Sequence, residues 1–323
     1  MPPETLDFEE PIAVLLKEIE ALSLLPRTDA REREIESLGR RLERLRAELY
    51  ASLTPWQRVL VARHPSRPGL EDFIQRLFTD FVELHGDRRF ADDHAIMTGF
   101  ADYQGQSVLL VGHVKGRDTK EKIFRNFGYA RPEGYRKALR AMHLAEKFRR
   151  PILVFVDTPA AYPGMESEER GVAEAIAFNL REMMLLDAPI VVVVSGEGGS
   201  GGALGIAVGD RVLMQEFAIY SVIPPEGCAA ILWRDASKKV EAAEALKLTA
   251  PDLLDARIID EIIREPVGGA HTDHVVAAQL VDDVLRRALD EVSALDSATR
   301  LARRYDKFRN MGRLGVDFVD EGG

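Results

Sequence analysis

The sequence contains a single cysteine, Cys228, among 323 residues. One cysteine excludes a disulfide within the chain and a zinc site built from several cysteines. It is also typical of a protein that stays in a reducing compartment, so we expect a cytoplasmic location. Cys228 itself is predicted to be a packed core thiol rather than a nucleophile.

Long apolar runs and an excess of positive charge are also missing. No segment reaches the roughly 20 apolar residues that cross a bilayer, and the acidic start MPPETLDFEEP does not resemble a signal peptide. The net charge is -10, which argues against a nucleic-acid binder. We therefore expect neither a membrane nor a nucleic acid as partner. Since 46% of the residues are hydrophobic, the chain can still bury a substantial core.

The first part of the chain, about residues 8–52, has a helical pattern. Apolar residues recur there at 3-4-3-4 spacing, at Ile35, Leu38, Leu42, Leu45 and Leu49. Such a seam suits a helix that packs on its own chain or on a partner subunit. A loop rich in proline and arginine follows at 64–69 and is expected to separate this segment from the rest. We predict that 1–69 forms an N-terminal helical extension, an interface element, and that 70–323 forms the main domain.

From residue 70 onward, short apolar runs alternate with helical patterns. Strands are predicted at 108–111, 152–156, 190–194 and 211–214, with helices at 132–149 and 171–186. Continuous apolar strands between helices predict an α/β fold with a buried, mostly parallel sheet. The part from about residue 238 is predicted to be helical and to end in a frayed, glycine-rich tail.

The segment VVVVSGEGGSGGALGIAVG, residues 191–209, predicts a buried strand, a glycine-rich turn and a helix that starts near Gly201. Glycines let a ligand approach the backbone, and the first N–H groups of a helix have no partner within it. The segment therefore suits an oxyanion or a phosphate. A tight turn without any ligand is the purely structural alternative.

Two further interpretations of this segment, as a dinucleotide site or as a hydrolase site, stay open at this point. Gly196, Gly198 and Gly201 fit the dinucleotide-binding pattern G-x-G-x-x-G, with Glu216 about 20 residues further on. The serine-hydrolase pattern G-x-S-x-G is also met, and its nucleophile would be Ser200. The residues of this second interpretation are Gly198, Ser200 and Gly202, with Asp255, Asp260, His271 and His274 as available partners.

The third interpretation is an oxyanion hole made of backbone N–H groups. A second loop supports it: DTPAAYPG, residues 157–164, also follows a buried strand and precedes a helix. In α/β folds ligands collect at the carboxyl ends of the strands, so both loops are expected at one edge. Asp157 alone is predicted to cap its own turn.

Several long motifs, in order along the chain, are similar to one family. They are GHVKGRDTKEK (112–122), NFGYARPEGYRKALR (126–140), DTPAAYPG with the EERG at 168–171, the glycine-rich segment 191–209, and YSVIPPEGCAAILW (220–233). The likeness runs from LDFEEPI near the start to EPVGGAH at 265–271. The chain resembles the alpha subunit of bacterial acetyl-CoA carboxylase carboxyltransferase.

The resemblance implies a crotonase-like fold, a β-β-α spiral superhelix, in an α2β2 heterotetramer. It implies transfer of a carboxyl group from carboxybiotin on the biotin carboxyl carrier protein to acetyl-CoA, which gives malonyl-CoA for fatty acid biosynthesis. The implied partners are the beta subunit, which carries zinc, the carrier protein and the biotin carboxylase. No metal is expected in this chain, because His271 and His274 stand without further ligands.

The resemblance also implies which residues form the site. Backbone N–H groups of Gly201 and Gly202, together with Ala160 or Ala161, would form the oxyanion hole for biotin; the biotin oxyanion takes the substrate's proton, so no side-chain base is needed. Further substrate or carrier contacts are expected from Gly198, Gly199, Ser200, Lys115, Arg117 and Lys120. The basic stretch 115–140 would attract phosphates or an acidic carrier, or else form a salt-bridged helix face. The family usually has glycine where Ala160 stands.

Overall fold

The computed structural model describes residues 5–312. Within this range the strands are β1 (Thr79–Glu83), β2 (Ile96–Tyr103), β3 (Gln106–His113), β4 (Ile152–Thr158), β5 (Ile190–Gly199), β6 (Arg211–Gln215), β7 (Ile219–Ser221) and β8 (Glu261–Ile263). The helices of the first half are α1 (Glu10–Ser23), α2 (Asp29–Ala51), α3 (Pro55–Ala62), α4 (Leu70–Leu77), α5 (Thr119–Phe124), α6 (Pro132–Lys147) and α7 (Met165–Glu169). Those of the second half are α8 (Val172–Leu185), α9 (Ser200–Leu204), α10 (Pro225–Leu232), α11 (Lys239–Leu246), α12 (Ala250–Asp255), α13 (His274–Ser293) and α14 (Ser297–Asn310).

One sheet contains all eight of these strands, in the order β1-β2-β3-β4-β5-β6-β8, and β7 pairs with the end of β5. The β1–β2 and β2–β3 pairings are antiparallel, whereas every pairing from β3 onward is parallel. The amino-terminal half of β5 pairs with β6, and residues Glu197 to Gly199 pair with β7. The strand therefore changes neighbours just before its glycine-rich end.

The central strands are apolar on both faces because helices cover both sides of the sheet. Val192 and Val194 lie in the core that contains α6 and α8. Val191 and Val193 belong to the opposite core, which contains residues of α4 and α13. This arrangement explains why the strands read as continuous apolar runs, and it confirms the predicted α/β class with a mostly parallel, buried sheet.

The four predicted strands correspond to β3, β4, β5 and β6, and the two predicted helices to α6 and α8. Four strands were not predicted. β1 lies at the sheet's edge and has no buried residue, while β7 and β8 are three residues long, too short for a periodic signal. The C-terminal part is helical as predicted, apart from β8, and its glycine-rich tail lies outside the described residues.

The N-terminal helical pattern is interrupted once. Pro26 cannot continue the preceding helix, and the Thr28 hydroxyl caps the next one by accepting from the Arg31 N–H at 3.3 Å. Leu42 of the predicted seam is buried against Ile12 and Leu15 of α1. The seam thus joins two helices of the same chain, and the use of 1–69 as a subunit interface stays a prediction.

The proline- and arginine-rich loop between α3 and α4, expected to separate the extension from the rest, is packed against the sheet. The Arg67 side chain is only 3% exposed and pairs with Glu265 at 2.6 Å. Its Nε also donates to the Ser195 carbonyl of β5 at 2.6 Å. The loop therefore fastens the N-terminal helices directly to the strand that carries the glycines.

None of the helices between residues 5 and 312 is both long enough and apolar enough to cross a membrane. Cys228 is a buried, free thiol in α10, as predicted.

Candidate active site

The two predicted loops meet at the carboxyl ends of β4 and β5. Gly199 lies so close to the other loop that a Cβ atom on it would be 1.8 Å from the Pro159 carbonyl oxygen. A Cβ on Gly202 would be 2.4 Å from the Ala160 carbonyl carbon and the Ala161 nitrogen. Glycine is required at both positions because backbone packs directly on backbone. The four predicted donors are thus brought together.

The first turn of α9 supplies donors on one side of this junction. Gly201 and Gly202 are the second and third residues of the helix, so their N–H groups have no acceptor within it. Ser200 begins the helix in the left-handed region, with φ 50°. Such strain in a non-glycine residue is typical of functional loops.

Ala160, where the family usually has glycine, fits its position without strain. Unlike Ser200, Ala160 does not have a positive φ. Alanine therefore carries no left-handed penalty here, and the N–H of residue 160 is kept. The departure from the family pattern does not alter the loop's donor capacity.

The dinucleotide interpretation is not supported, because Gly196 and Gly198 lie within β5 rather than in a turn after it. The strand was predicted to end at residue 194 but runs on to Gly199. These glycines make room for neighbours: a Cβ on Gly196 would be 2.3 Å from Asp157, and one on Gly198 would be 2.6 Å from Tyr220. Glu216 pairs with Arg264 at 2.6 Å.

The candidate hydrolase residues are engaged elsewhere. The His271 ring stacks on His64 with centroids 3.9 Å apart, and His274 Nε2 lies 2.7 Å from the Ser66 carbonyl. Asp260 pairs with Lys307 at 2.6 Å. Ser200 borders a different cavity from the one that His274 lines. No observation favours a serine-based triad.

Two cavities flank the loops. An apolar cavity of about 570 Å³ is bordered by Ser200 and Gly201 and walled by Leu204, Tyr220 and Phe308, among others. A larger cavity of about 900 Å³, the charged cavity, is lined by residues at the ends of three strands, including His113, Lys115, Asp157, Pro159 and Glu197. The glycine-rich junction thus lies between an apolar and a charged space.

A chain of ion pairs lines part of the charged cavity. Lys115 Nζ lies 2.6 Å from Asp157 Oδ1 and 2.7 Å from Glu197 Oε2. Arg63 Nε contacts the other oxygen of Glu197 at 2.6 Å, and Arg63 Nη1 contacts Glu226 at 2.6 Å. Asp157 was predicted to cap its own turn; instead its Oδ1 accepts the Glu197 N–H at 2.9 Å.

The protonation states of this network follow from burial and charge. Burial alone would raise the pKa of Glu197, but the Lys115 ammonium and the Arg63 guanidinium lower it to about 2. Burial opposes the charge on Lys115, yet the carboxylates of Asp157 and Glu197 raise its pKa. Burial and the nearby Lys115 lower the pKa of His113 to about 3, so its imidazole is neutral.

Sequence reasoning missed Arg63, Arg67, Glu197 and His113. A signal existed for Glu197, the only charged residue within the glycine run, and for the two arginines, which lie in or beside a proline-containing loop. His113 carried none, because nothing in the sequence shows that it lines the same cavity as Lys115 and Asp157.

Most of the basic stretch serves internal pairing. Lys137 is fully buried with Asp92 at 2.6 Å, and Arg136 pairs with Asp87 at 2.9 Å. Arg117 pairs with Asp72 at 2.9 Å but remains 57% exposed, and Lys120 is exposed. Much of the stretch is therefore a salt-bridged face, and Arg117 and Lys120 are the most exposed of the predicted contact residues.

No cluster of three or more histidine, cysteine, aspartate or glutamate side chains that could hold a metal occurs in the described part of the chain. The site thus offers backbone N–H groups, an apolar cavity and a fixed set of charges. This combination of groups suits the stabilisation of a developing oxyanion.

The fold is that of crotonase-like carboxyltransferases. Transcarboxylase 12S, solved with methylmalonyl-coenzyme A and methylmalonic acid bound, is similar with a TM-score of 0.53 and 20% identity over 68% of this chain and 42% of that one. A Pseudomonas malonate decarboxylase hetero-tetramer in complex with coenzyme A has a TM-score of 0.55 and 18% identity, over 68% of this chain and 90% of that one. The predicted crotonase-like fold is confirmed.

Sequence comparison identifies the family. Residues 5–312 match the family described as acetyl co-enzyme A carboxylase carboxyltransferase-like. The acetyl-coenzyme A carboxylase carboxyl transferase subunit alpha of Geobacter metallireducens is 56% identical over 310 residues, 96% of this chain and 98% of that protein. The protein of the same name from Halalkalibacterium halodurans is 53% identical over 315 residues, 96% of each chain. The chain belongs to the acetyl-CoA carboxylase carboxyltransferase alpha-subunit family.

Proposed function

We propose that this chain is the biotin-side half of a carboxyltransferase that moves a carboxyl group from carboxybiotin to acetyl-CoA, forming malonyl-CoA for fatty acid biosynthesis. The observation that carries the proposal is the direct packing of Gly202 on the Ala160–Ala161 peptide. This close approach of the two loop backbones supports a site to which both loops contribute N–H donors. Membership of a carboxyltransferase family supports the reaction type.

The N–H groups perform the chemistry assigned to this chain. Carboxybiotin, when bound, would supply the carboxyl group. Gly201 and Gly202 from α9, with Ala160 or Ala161 from the other loop, would donate to its ureido oxygen, where negative charge would develop. One such donor contributes about 3 kcal/mol to transition-state stabilisation in related systems. Because these donors are part of the packed backbone, they need no reorganisation during the reaction.

The apolar cavity beside Ser200 and Gly201 fits the bicyclic ring of biotin. Its volume of about 570 Å³ and its mainly aliphatic and aromatic walls suit the sulfur-containing ring, whereas the ureido group needs the polar junction. The border between the apolar cavity and the polar junction would be formed by Gly198, Gly199 and Ser200. The exposed cations Arg117 and Lys120 would attract the phosphates of coenzyme A or an acidic carrier surface. Lys115 borders the charged cavity with its ammonium already paired.

The partners follow from the family. We propose a beta subunit that carries zinc and the thioester site, in an α2β2 heterotetramer, with a biotin carboxyl carrier protein and a biotin carboxylase acting with it. The malonate decarboxylase neighbour is also described as a hetero-tetramer. A cytoplasmic location is part of the same proposal and agrees with the free thiol of Cys228.

Reconstitution tests this function. The chain and its cognate beta subunit are mixed, and malonyl-CoA-dependent carboxylation of free biotin is measured as acetyl-CoA release. We expect activity from the mixture and none from either chain alone, because each contributes one half of the site. A fluorophosphonate probe should leave Ser200 unlabelled. A mixture that forms the complex but transfers no carboxyl group, or a labelled Ser200, would contradict the proposal.

A further inference from the structure

The pairing of β4 with β5 is irregular just before the two loops. The register is regular up to Val156 opposite Val194, and it then shifts so that Thr158 lies opposite Gly198. Two steps along β4 therefore correspond to four along β5. A bulge of this kind interrupts the ladder of backbone hydrogen bonds. The interruption falls between the core of the sheet and the loops that carry the candidate donors.

Side-chain hydrogen bonds and ion pairs replace the interrupted backbone pairing of β4 and β5 at this point. Asp157, the β4 residue inside the irregular step, accepts the Glu197 N–H at 2.9 Å. Lys115 joins the two carboxylates, at 2.6 Å from Asp157 and 2.7 Å from Glu197. Asp157 precedes Ala160 by three residues, and Glu197 precedes Gly201 by four. The Lys115 ammonium group thus links the strand residues that precede the two donor loops.

The network also reaches the N-terminal helices. Arg63, the residue directly after α3, holds the second oxygen of Glu197 at 2.6 Å. The Glu197 side chain is 9% exposed and has a cation at each oxygen. A buried carboxylate held in this way has little freedom to move, because a shift would leave a charge unpaired in a poorly hydrated space.

We propose that Lys115 is a positioning residue: its bridge between Asp157 and Glu197 replaces the interrupted strand pairing and fixes the separation of the two donor loops. This inference rests on the proposed function for the identity of the donors. It differs from a role in binding phosphates, because the charge of the ammonium is already balanced by two carboxylates. The position of the loops, and therefore the rate of the chemical step, depends on this bridge.

Lys115→Met, which keeps the side chain's apolar length and removes its charge, tests the proposal in the complex with the beta subunit. We expect kcat for biotin carboxylation to fall on the order of 100-fold, since small misplacements of reacting groups have effects of that size. KM should change little, because no substrate contact is lost. Lys147→Met, an exposed lysine at the end of α6, is the matched control and should leave kcat unchanged.

Hydrogen exchange provides a readout that does not depend on activity. Amides in segments 158–164 and 198–204 should exchange faster in Lys115→Met than in wild type or in Lys147→Met. If the wild-type mixture proved inactive, the proposed function would fail while this comparison still tested the positioning role. Faster exchange confined to both loops supports the bridge; unchanged exchange overturns it.

Two further variants cover the possibility that Lys115→Met does not fold. Glu197→Gln and Asp157→Asn remove one charge each with almost no change in shape, and each should lower kcat with little effect on KM. Combining Asp157→Asn with Lys115→Met, where the latter folds, should add little to the loss, because the two residues act as one unit. A raised KM for malonyl-CoA at unchanged kcat would instead assign Lys115 to ligand binding and overturn the proposal.

Discussion

Replacing Gly202 with alanine is expected to lower kcat/KM for carboxyl transfer by a factor on the order of 10²–10³, the range seen when an oxyanion-hole donor is lost. The new methyl group would lie 2.4 Å from the Ala160 carbonyl carbon and the Ala161 nitrogen. Both are backbone atoms, so the loops must move apart. The N–H of residue 202 remains present, and the loss would arise from its displacement relative to the second loop.

Gly39→Ala, in α2 and outside the candidate site, is the control for this variant. A Cβ on Gly39 would meet no heavy atom within 4 Å. We expect this variant to keep most of its activity in the reconstituted assay, with assembly of both complexes checked by size-exclusion chromatography. A fully active Gly202→Ala complex, or equal losses in both variants, would show that the contact between the loops does not govern the reaction.

Replacing Arg304 with methionine is expected to reduce the free energy of unfolding by about 3–5 kcal/mol, as is typical when one partner of a buried ion pair is removed. The Arg304 side chain is fully buried. Its guanidinium donates to the carbonyls of Met183, Leu186 and Ala188 at 2.7–2.8 Å and holds Asp210 through two nitrogens at 2.8 Å each. Methionine would leave these acceptors without a donor.

The loss should extend to the central sheet, because Asp210 also accepts the N–H of Ile190, the first residue of β5, at 2.8 Å. Arg303→Met, the adjacent exposed position on α14, is the control and should change stability by no more than about 0.5 kcal/mol. Urea denaturation followed by circular dichroism compares the two. Equal stability of Arg304→Met and wild type would show that α14 does not fasten the sheet.

The sequence was informative where periodicity is strong and contacts are local. The apolar runs at β4 and β5 predicted a buried parallel sheet, and the loop after each of these strands was expected at the same edge, where the structure places it. The glycines of 196–202 were expected to let a ligand approach the backbone, and in the structure the backbone of the second loop approaches Gly199 and Gly202. They did not show that the strand continues through Gly199, because that depends on pairing with β7, a strand of three residues.

Long-range pairing was beyond the reach of sequence patterns. Lys115 and Glu197 are 82 residues apart, and Arg67 and Glu265 are 198 apart. No spacing rule connects such residues, so the basic stretch suggested phosphate attraction as readily as internal ion pairs. The proline- and arginine-containing loop was likewise taken as a separator, since exposed linkers have the same composition. Only the fold shows that Arg67 is buried against β5.

The most direct test of the central claim is the position of biotin in a high-resolution structure of the complex with the beta subunit. We predict that the ureido oxygen lies about 3 Å from backbone nitrogens of both loops, one from Gly201 or Gly202 and one from Ala160 or Ala161. The ring should occupy the apolar cavity beside Ser200. A ureido oxygen held only by side chains, or a biotin bound in the charged cavity at Lys115, would contradict the account.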